Sequence, residues 1–411
     1  MAGLADTYRQ VLAAGGYIAD ASPDAITLWR ARGLRCADLL VDAYLDAIAP
    51  LCVPEVVEHP FLQPSARYDD VFGAYDNVYR TQFESVPMVL RADNMHTNVD
   101  HLVSSGGEAV LARGGVLRRM SGRAVPLFRE RHIWPAVQFT HLVSPDRAED
   151  VLLEHQLALE RFFAAVGLFV VSVRTDLIAS YGAVCYLSVT CLPDGRPTVL
   201  STAYLMTEEY RRSLGVEQAV LDIGWTGKVL AVAAAHHHDH HGLNLSSTIA
   251  PTQVGVVPAG GDGGAPWDDW VASAAREGVR AEIWDRSGSA AARWRAERTF
   301  HRQGVPLVLD EGSSMSVGRL PLRRTPLAGR PTPADVHVQL QEHDRRIGSR
   351  VRERLTRHVL SGDAVVAVCD ACRSDPRWKV FGTLVREPAA PCTTCGRSTL
   401  KVMLSERGRF Y

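Results

Sequence analysis

Four cysteines near the end of the chain constrain its fold more than any other feature of the sequence. Cys369 and Cys372 form one Cys-x-x-Cys pair, and Cys392 and Cys395 form a second pair after nineteen intervening residues. Two such pairs offer four thiolates to one ion at tetrahedral geometry, which suits Zn²⁺, while disulfides are disfavoured in a cytosolic chain. Four protein ligands leave no open coordination position. We therefore predict a structural Zn²⁺ that organises a small module over residues 361–411.

The composition is ordinary for a globular protein and excludes few functions. A length of 411 residues suits two or three domains, and a net charge of −1 argues against a surface that binds polyanions throughout. The N-terminus lacks a basic-then-apolar signal and no apolar run approaches the roughly 18 residues of a membrane span, so we expect a cytoplasmic protein without a membrane segment. The other cysteines are expected to be small buried hydrophobes: Cys36, Cys52, Cys185 and Cys191.

Hydrophobic periodicity divides the rest of the chain into two parts. Residues 1–250 mix helical spacing, over Leu39–Leu51 and Asp150–Val166, with a strand pattern over Ala183–Thr190. Residues 251–360 alternate strands with helices, which predicts a compact, mainly parallel α/β domain. The strands predicted there are Val254–Val257, Val279–Trp284 and Val305–Leu309, and the helices are Trp267–Arg276, Ala290–Gln303 and Ala334–Leu360. The glycine-rich segment 259–266 is predicted to be a flexible connection, because it lacks the spacing of a phosphate-binding loop.

The segment Gly227–Pro258 joins these two parts and is similar to a junction found in one enzyme family. It runs from small residues through a histidine cluster and a turn into a strand. Prolyl-tRNA synthetases join their catalytic domain to their anticodon-binding domain with the pattern HGDxxGLxLPPxIAPxQVxIVP. The residues that match this pattern in order are Gly242-Leu243, Leu245, Ile249-Ala250-Pro251, Gln253-Val254 and Val257-Pro258.

Three further segments resemble the same family in the same order. Pro60 resembles the motif 1 proline at the class II dimer interface, Leu192–Val216 is similar to PDGRxLQxGTSHNLGQNFxxxFxI, and Gly304–Thr325 resembles GVPLRIEIGPRDLxxxxVxLxRRDT. The four cysteines and the aromatic end Phe410-Tyr411 resemble the archaeal and eukaryotic type of the family, which carries a C-terminal zinc module. The chain thus resembles a divergent prolyl-tRNA synthetase, a class II aminoacyl-tRNA synthetase.

This resemblance implies a fold, an assembly and a set of ligands. The implied fold is an α+β class II catalytic domain over residues 1–250, with an antiparallel sheet and flanking helices. An α/β anticodon-binding-type domain over 251–360 and the zinc module over 361–411 would follow. The family forms homodimers, uses ATP and Mg²⁺ to make an acyl-adenylate, and binds a small amino acid and tRNA.

The resemblance also indicates which residues would bind ATP. Arg129 and Glu130 match the motif 2 FRxE sequence, so Arg129 would hold the α-phosphate, and Phe139 matches the returning strand. The loop between them is shorter than in the family, and a second alignment matches 125–127 to the family's LPL, with the motif 2 strand deleted. Gly224 and His237 are also expected in the ATP site.

Lys228 occupies the position of the motif 3 arginine that holds the γ-phosphate. Arginine suits that role because its planar group pairs two phosphate oxygens at once. The chain contains only two other lysines, Lys379 and Lys401, so a generic surface cation here would almost always be arginine. Lys228 is therefore interpreted as a point-charge phosphate contact or a nucleophile. Drift after loss of ATP binding is the alternative.

The positions that match the amino-acid pocket differ from the family more strongly. The family's RPTSE is replaced by residues 91–95, which include Asp93 and Met95, so the threonine and glutamate that hold the proline imino group are missing. Its GTSH is replaced by residues 201–204, with Thr202 retained and Tyr204 in place of the histidine. Asp93 is a candidate to hold an amine in another orientation. Among the anticodon-reading positions, GPRD is replaced by residues 312–315, and Arg323-Arg324 remain as phosphate contacts.

The cluster His236–His241 has two interpretations. His237 and His241 would lie one helical turn apart and form a two-histidine metal edge if the helix continued through them. The family has polar residues at the same place, which favours a polar wall of the ATP pocket.

Two functions follow from these residues. The first is ATP-dependent adenylation of a small amino or carboxylic acid other than proline, with transfer to a tRNA or non-tRNA acceptor, as in specialised metabolism. The alternative is a non-catalytic synthetase paralogue that binds tRNA or a protein partner. An orthodox prolyl-tRNA synthetase is disfavoured, because the residues that hold proline are missing.

Overall fold

The computed structural model describes residues 4–20, 26–72, 77–122, 124–175, 180–259, 264–284, 289–311, 316–318, 325–361, 364–375 and 378–404. The helices are α1 Leu4–Ala14, α2 Ala31–Ile48, α3 Ser65–Phe72, α4 Met95–Ser105, α5 Ala148–Ala165, α6 Glu208–Leu214, α7 Lys228–His236, α8 Gly264–Arg276, α9 Ala290–Arg302, α10 Pro333–Leu355 and α11 Asp370–Arg373. The strands are β1 Glu55–Val57, β2 Leu62–Pro64, β3 Arg80–Phe83, β4 Val86–Leu90, β5 Ala109–Ala112, β6 Val116–Leu117, β7 His132–Ile133, β8 Ala136–Val143, β9 Val171–Thr175, β10 Gly182–Cys191, β11 Pro197–Met206, β12 Ala219–Thr226, β13 His238–Asp239, β14 Gly242–Leu243, β15 Val254–Val257, β16 Ala281–Ile283, β17 Leu307–Asp310, β18 Ser316–Gly318, β19 Thr325–Pro326, β20 Val365–Ala367, β21 Val380–Leu384, β22 Ala390–Pro391, β23 Ser398–Thr399 and β24 Lys401–Leu404.

A ten-stranded sheet forms the largest layer of the molecule. Its strand order is β1-β5-β8-β12-β11-β10-β9-β21-β24-β20. Every neighbouring pair is antiparallel except β1 and β5, which are parallel. The predicted antiparallel sheet is therefore corrected to a mixed sheet. A parallel pair needs a crossover connection, and the long segment between β1 and β5, which contains α3 and α4, provides it.

In the central strand β12, apolar residues that face one side of the sheet alternate with polar or small residues that face the other. Leu221, Ile223 and Trp225 are buried, while the alternating residues Asp222 and Gly224 are half-buried. Successive side chains on a strand point to opposite faces, so the apolar set packs under the helices and the polar set faces an open cavity. Fully burying a leucine or isoleucine here contributes roughly 1.5–3 kcal/mol relative to exposure.

Helices α1, α2, α5 and α7 cover the apolar face of the sheet. The bounds of α5 confirm the helix predicted over Asp150–Val166, and β10 confirms the strand predicted over Ala183–Thr190. Helix α2 begins at Ala31, eight residues before the predicted start at Leu39. The hydrophobic pattern did not predict this first part, because Leu34 and Arg35 are both exposed and interrupt the apolar periodicity. It ends at Ile48, close to a proline at position 50, which disfavours further helix.

A second sheet of five strands follows in the chain. Strands β16, β15 and β17 are parallel, and β18 and β19 add antiparallel strands at one edge. Helices α8 and α9 begin and end close to their predicted bounds, which confirms the α/β pattern. Helix α10 starts with a capping box in which Thr332 and Asp335 bond each other's backbone amides, and it ends in a π-helical turn over Thr356–Leu360. None of the described helices is long and apolar enough to cross a bilayer.

The C-terminal residues extend the main sheet. Strand β21 pairs with β9, and β24 and β20 continue the sheet outward. A Cβ atom on Gly382 would lie only 2.5 Å from the Arg174 carbonyl oxygen, so the two strands approach closely at this glycine. Periodicity alone does not predict this pairing, because β9 and β21 are about 200 residues apart. The division of the chain into three domains stays a prediction.

Candidate active site

A cavity of about 330 Å³ opens on the polar face of the main sheet, over strands β8, β11 and β12. Five residues predicted from the sequence line it: Asp93, Thr202, Tyr204, Gly224 and Lys228. Met95 lines a smaller adjoining cavity of about 70 Å³, which shares Asp93 with the first. The fold therefore brings together residues that are up to 135 positions apart in the chain.

Two carboxyl groups, Asp93 and Asp222, lie at one end of this cavity. The Gln138 side-chain amide donates to Asp93 Oδ1 at 2.9 Å and to both Asp222 oxygens at 3.0 and 2.9 Å. The orientation of this amide is fixed, because its oxygen accepts a hydrogen bond from the Asn94 backbone N–H at 2.8 Å. Asp222 also accepts a hydrogen bond from Thr140 at 3.3 Å. Burial, and then the nearby charge of Asp93, raise the pKa of Asp222 to about 8.

Arg118 completes this acidic end. Its guanidinium lies 3.1 Å from Asp93 Oδ2 and also donates to the Ala92 carbonyl at 2.8 Å. The sequence motifs did not point to Arg118 or Asp222, or to the bridging role of Gln138. One signal for Asp222 was available, because it is the only charged residue in the apolar strand Ala219–Trp225. A lone charged residue inside such a strand indicates a polar site.

Lys228 lines another part of the cavity, at the first residue of α7. Its side chain is only 8% exposed, and its Nζ lies 5.5 Å from the centroid of the Phe128 ring. Within the described ranges no acidic side chain forms an ion pair with it. Burial lowers the pKa of Lys228 to about 7. A cation that is buried against an aromatic ring and has no anionic partner is suited to bind an anion from the cavity.

The two motif 2 residues do not line the cavity. Arg129 is exposed, and its guanidinium donates to the Ser121 carbonyl oxygen. Glu130 is buried and accepts a hydrogen bond from the Thr27 hydroxyl. Burial raises the pKa of Glu130 to about 7. Neither residue is therefore among those that line the cavity, and their contact with ATP stays a prediction.

Phe139 and His237 also lie outside the cavity lining. Phe139 is fully buried in the helix-covered core, because it alternates with Gln138 on β8. His237 is buried, and its Nε2 donates to the Gly167 carbonyl at 2.8 Å. The histidine cluster forms no helical metal edge, since α7 ends at His236 and the chain turns before His241. Both side chains thus lie outside the cavity lining, and their contact with ATP stays a prediction.

The structure describes the four C-terminal cysteines, whereas several other predicted residues lie outside the described ranges. The sulfur atoms of the four cysteines Cys369, Cys372, Cys392 and Cys395 lie within 4.8 Å of one another, a set compatible with structural zinc. The Cys369 and Cys395 backbone amides donate to the Cys392 sulfur and lower its pKa to about 6, which favours the thiolate that a metal needs. Residues 312–315, Arg323-Arg324 and Phe410-Tyr411 lie outside the described residues.

Comparison with known proteins gives results for sequence and fold. No family model matches the chain. A proline–tRNA ligase from Methanopyrus kandleri is 25% identical over 272 residues, which are 59% of this chain and 53% of that protein. The chain therefore matches about half the length of this relative. The solved structure of Giardia lamblia prolyl-tRNA synthetase in complex with prolyl-adenylate matches with a TM-score of 0.79 at 14% identity, over 97% of both chains.

These likenesses agree with the sequence motifs. The fold is that of the solved prolyl-tRNA synthetase. In sequence the chain is similar, at 25% identity, to a proline–tRNA ligase, which supports the predicted resemblance to a divergent member of that family.

Proposed function

We propose that this protein uses ATP to activate a small amino or carboxylic acid other than proline as an acyl-adenylate. The acyl group then passes to a tRNA or to a non-tRNA acceptor, and the protein acts as a homodimer. The synthetase-like fold and the sequence similarity to a proline–tRNA ligase support a ligase of this class. The choice of substrate is argued from the cavity, because function belongs to the site and not to the fold.

The placement of acidic groups and of a lysine in different parts of one cavity along β12 is the observation that carries this proposal. Asp222, Gly224 and Thr226 face the cavity in succession, and Lys228 follows directly. At about 3.3 Å per residue, Asp222 lies roughly 13 Å from Thr226 along the strand. An amino acid joined to a phosphate has this polarity, with its ammonium at one end and its phosphate at the other. The acidic pair would hold the ammonium, and Lys228 would lie beside the phosphates.

Formation of the acyl-adenylate requires the protein mainly to position the two substrates and to offset the charge of the phosphates. A carboxylate oxygen of the substrate attacks the α-phosphorus of ATP, the bond to the bridging oxygen breaks, and pyrophosphate leaves with the electron pair. Protonated Lys228 would offset negative charge on the phosphates. Mg²⁺, when bound, would neutralise the remaining phosphate charge. The cavity volume of about 330 Å³ lies at the lower end of the range typical for small ligands.

The residues of the acidic end favour a substrate other than proline. Tyr204 stands where the family has a histidine, and Asp93 replaces part of the segment that holds the proline imino group. Gln138 bridges both carboxyl groups, so the ammonium would meet two acidic groups. We infer that the preferred substrate carries a primary amine.

Acid-dependent exchange of pyrophosphate into ATP tests the proposal. A panel of small amino acids and of carboxylic acids without an amine is assayed with the wild type, Asp222→Asn and Lys228→Arg. We expect exchange with at least one amino acid, a more than tenfold loss of amino-acid-dependent exchange in Asp222→Asn, and retained exchange in Lys228→Arg. The absence of exchange across the whole panel, in protein that keeps its zinc and its fold, would overturn the proposal.

One observation favours the alternative function. The predicted α-phosphate contact Arg129 is exposed and outside the cavity, so one of the two expected phosphate cations is displaced. A non-catalytic paralogue that binds tRNA or a protein partner would tolerate this change. It predicts tRNA binding that weakens steeply with salt, together with no detectable affinity for ATP. Filter binding of tRNA at two salt concentrations, beside calorimetry with ATP, distinguishes the two functions.

The four-cysteine cluster would hold Zn²⁺ in a purely structural role. Two knuckles supply four soft sulfur ligands, which fill the coordination sphere and leave no position for a substrate. The metal would fix the segment that places β20, β21 and β24 on the edge of the main sheet.

A further inference from the structure

A second group of metal-ligating side chains lies on the helix-covered face of the main sheet. Cys52 follows the end of α2, His141 is on β8, and His155 is on α5. One ligand atom from each residue lies within 4.8 Å of the other two. Thr140, next to His141 on the strand, contacts Asp222 at the cavity. His141 therefore points to the opposite face, and this group is separate from the proposed active site.

The spacing of the two imidazoles fits coordination of one ion. His141 Nδ1 and His155 Nε2 are 3.1 Å apart. Two imidazole nitrogens at about 2.05 Å from a tetrahedral Zn²⁺ are roughly 3.4 Å apart, so a small shift admits the ion. Both rings are buried, at 9% and 0% exposure. A neutral imidazole offers one nitrogen lone pair to a metal ion.

The Cys52 sulfur is the third ligand, and its partial exposure gives the ion access from solvent. Cys52 is half-buried, unlike the two histidines, so an ion can reach it from solvent. Within the described part of the chain, the Cys52 sulfur forms no hydrogen bond, although it faces both imidazole nitrogens. The exposed Glu108 carboxylate interacts electrostatically with both Cys52 and His141, so it lies near the same place. Its negative charge would favour a cation there.

We propose that Cys52, His141 and His155 form a second metal site that binds Zn²⁺. The Cys52 thiol loses its proton to solvent when the ion binds. The imidazole that donates the His141–His155 hydrogen bond shifts that proton to its other ring nitrogen, so both facing nitrogens offer a lone pair and neither ring changes its charge. The fourth position is filled by water or by the Glu108 carboxylate. The ion ties together the end of α2, strand β8 and helix α5. Because β8 also carries Gln138 on its other face, the site stabilises the strand that orients the acidic end of the cavity.

Metal content tests the proposal directly. Full-length protein purified with Zn²⁺ and dialysed against metal-free buffer should contain two equivalents of zinc per chain by mass spectrometry. Cys52→Ser and His155→Gln should each contain one equivalent. Cys185→Ser is the matched control, because Cys185 is a buried free thiol outside both groups, and it should retain two. One equivalent in the wild type, unchanged in Cys52→Ser, would overturn the proposal.

A measurement on the wild type keeps the test decisive if a variant does not fold. Protein loaded with ¹¹³Cd²⁺ should give two cadmium resonances, since a site of four sulfurs and a site of one sulfur and two nitrogens shield the nucleus differently. A single resonance of the four-sulfur type, at saturating cadmium, would show that the four C-terminal cysteines alone bind metal.

Discussion

Lys228 is buried, so its positive charge destabilises the folded state and makes the free energy of unfolding depend on pH. Its pKa is lowered to about 7 by burial, from 10.5 in the unfolded chain. Between these values the unfolded state binds more protons, so the free energy of unfolding rises with pH from about 7 to 10.5. Relative to the wild type, Lys228→Met should gain on the order of 5 kcal/mol at pH 6, and the gain should vanish by pH 10.5. Denaturant unfolding at several pH values measures this difference, and a difference that does not vary with pH would contradict it.

Gly224 keeps the middle of the cavity open. A Cβ atom there would lie 3.7 Å from the Val137 carbonyl oxygen and 3.9 Å from Thr202 Oγ1, which are ordinary contacts. Gly224→Ala should therefore fold and retain most ligand binding. Gly224→Val should fold as well but lower the affinity for ATP at least tenfold, because its methyl groups enter the cavity. Calorimetry with ATP measures binding, and an unchanged melting temperature verifies the fold. Equal affinities in the wild type and Gly224→Val would place the ligand elsewhere.

The residues of the site were predictable only where a family motif covers them. Lys228, Thr202 and Tyr204 occupy motif positions, and they line the cavity. Asp222 and Arg118 lie in no motif, and their convergence on Asp93 depends on strand pairing that a single sequence does not specify. Phe139 and His237 lie outside the cavity lining for local reasons. Strand alternation turns Phe139 to the opposite face, and α7 ends one residue before His237.

At the scale of elements, the contact between β9 and β21 depends on a single glycine. A Cβ atom at Gly382 would lie 2.5 Å from the Arg174 carbonyl oxygen and 2.6 Å from the Val173 side chain. Gly382→Ala should push the strands apart and raise hydrogen exchange at Val171–Thr175 more than tenfold. Exchange at β1, on the far edge of the sheet, should not change. Gly348→Ala is the control, because nothing lies within 4 Å of its Cβ position. Unchanged exchange at β9 in Gly382→Ala would contradict this account of the contact.

Elements with strong local periodicity were predictable, and their pairing was not. Strand β15 has the predicted bounds, and α5 differs from its predicted bounds by one or two residues. The parallel pairing of β1 with β5 and the attachment of β21 to β9 are long-range events. The local pattern of hydrophobic residues does not specify which strand will pair with which in the sheet.

At the scale of the whole molecule, the continuous main sheet joins the first and last parts of the chain. Strands from residues 55–226 and 365–404 share this sheet, so loss of the proposed C-terminal zinc should destabilise both parts together. In Cys52→Ser, which lacks the second proposed metal site, removal of zinc by a strong chelator should lower the melting temperature by more than 5 °C in one cooperative transition. Differential scanning calorimetry measures this effect, and re-addition of Zn²⁺ should reverse it. A separate small transition, with the main one unshifted, would show an independent module.

The central claim is that one cavity holds an aminoacyl-adenylate between an acidic pair and a buried lysine. Crystals soaked with non-hydrolysable aminoacyl-sulfamoyl adenosines, chosen by the exchange assay, test it most directly. We predict density over Gly224, with the substrate ammonium beside Asp93 and Asp222 and the sulfamoyl group nearer to Lys228. Density outside this cavity, or a ligand in the reverse orientation with its ammonium at Lys228, would contradict the account.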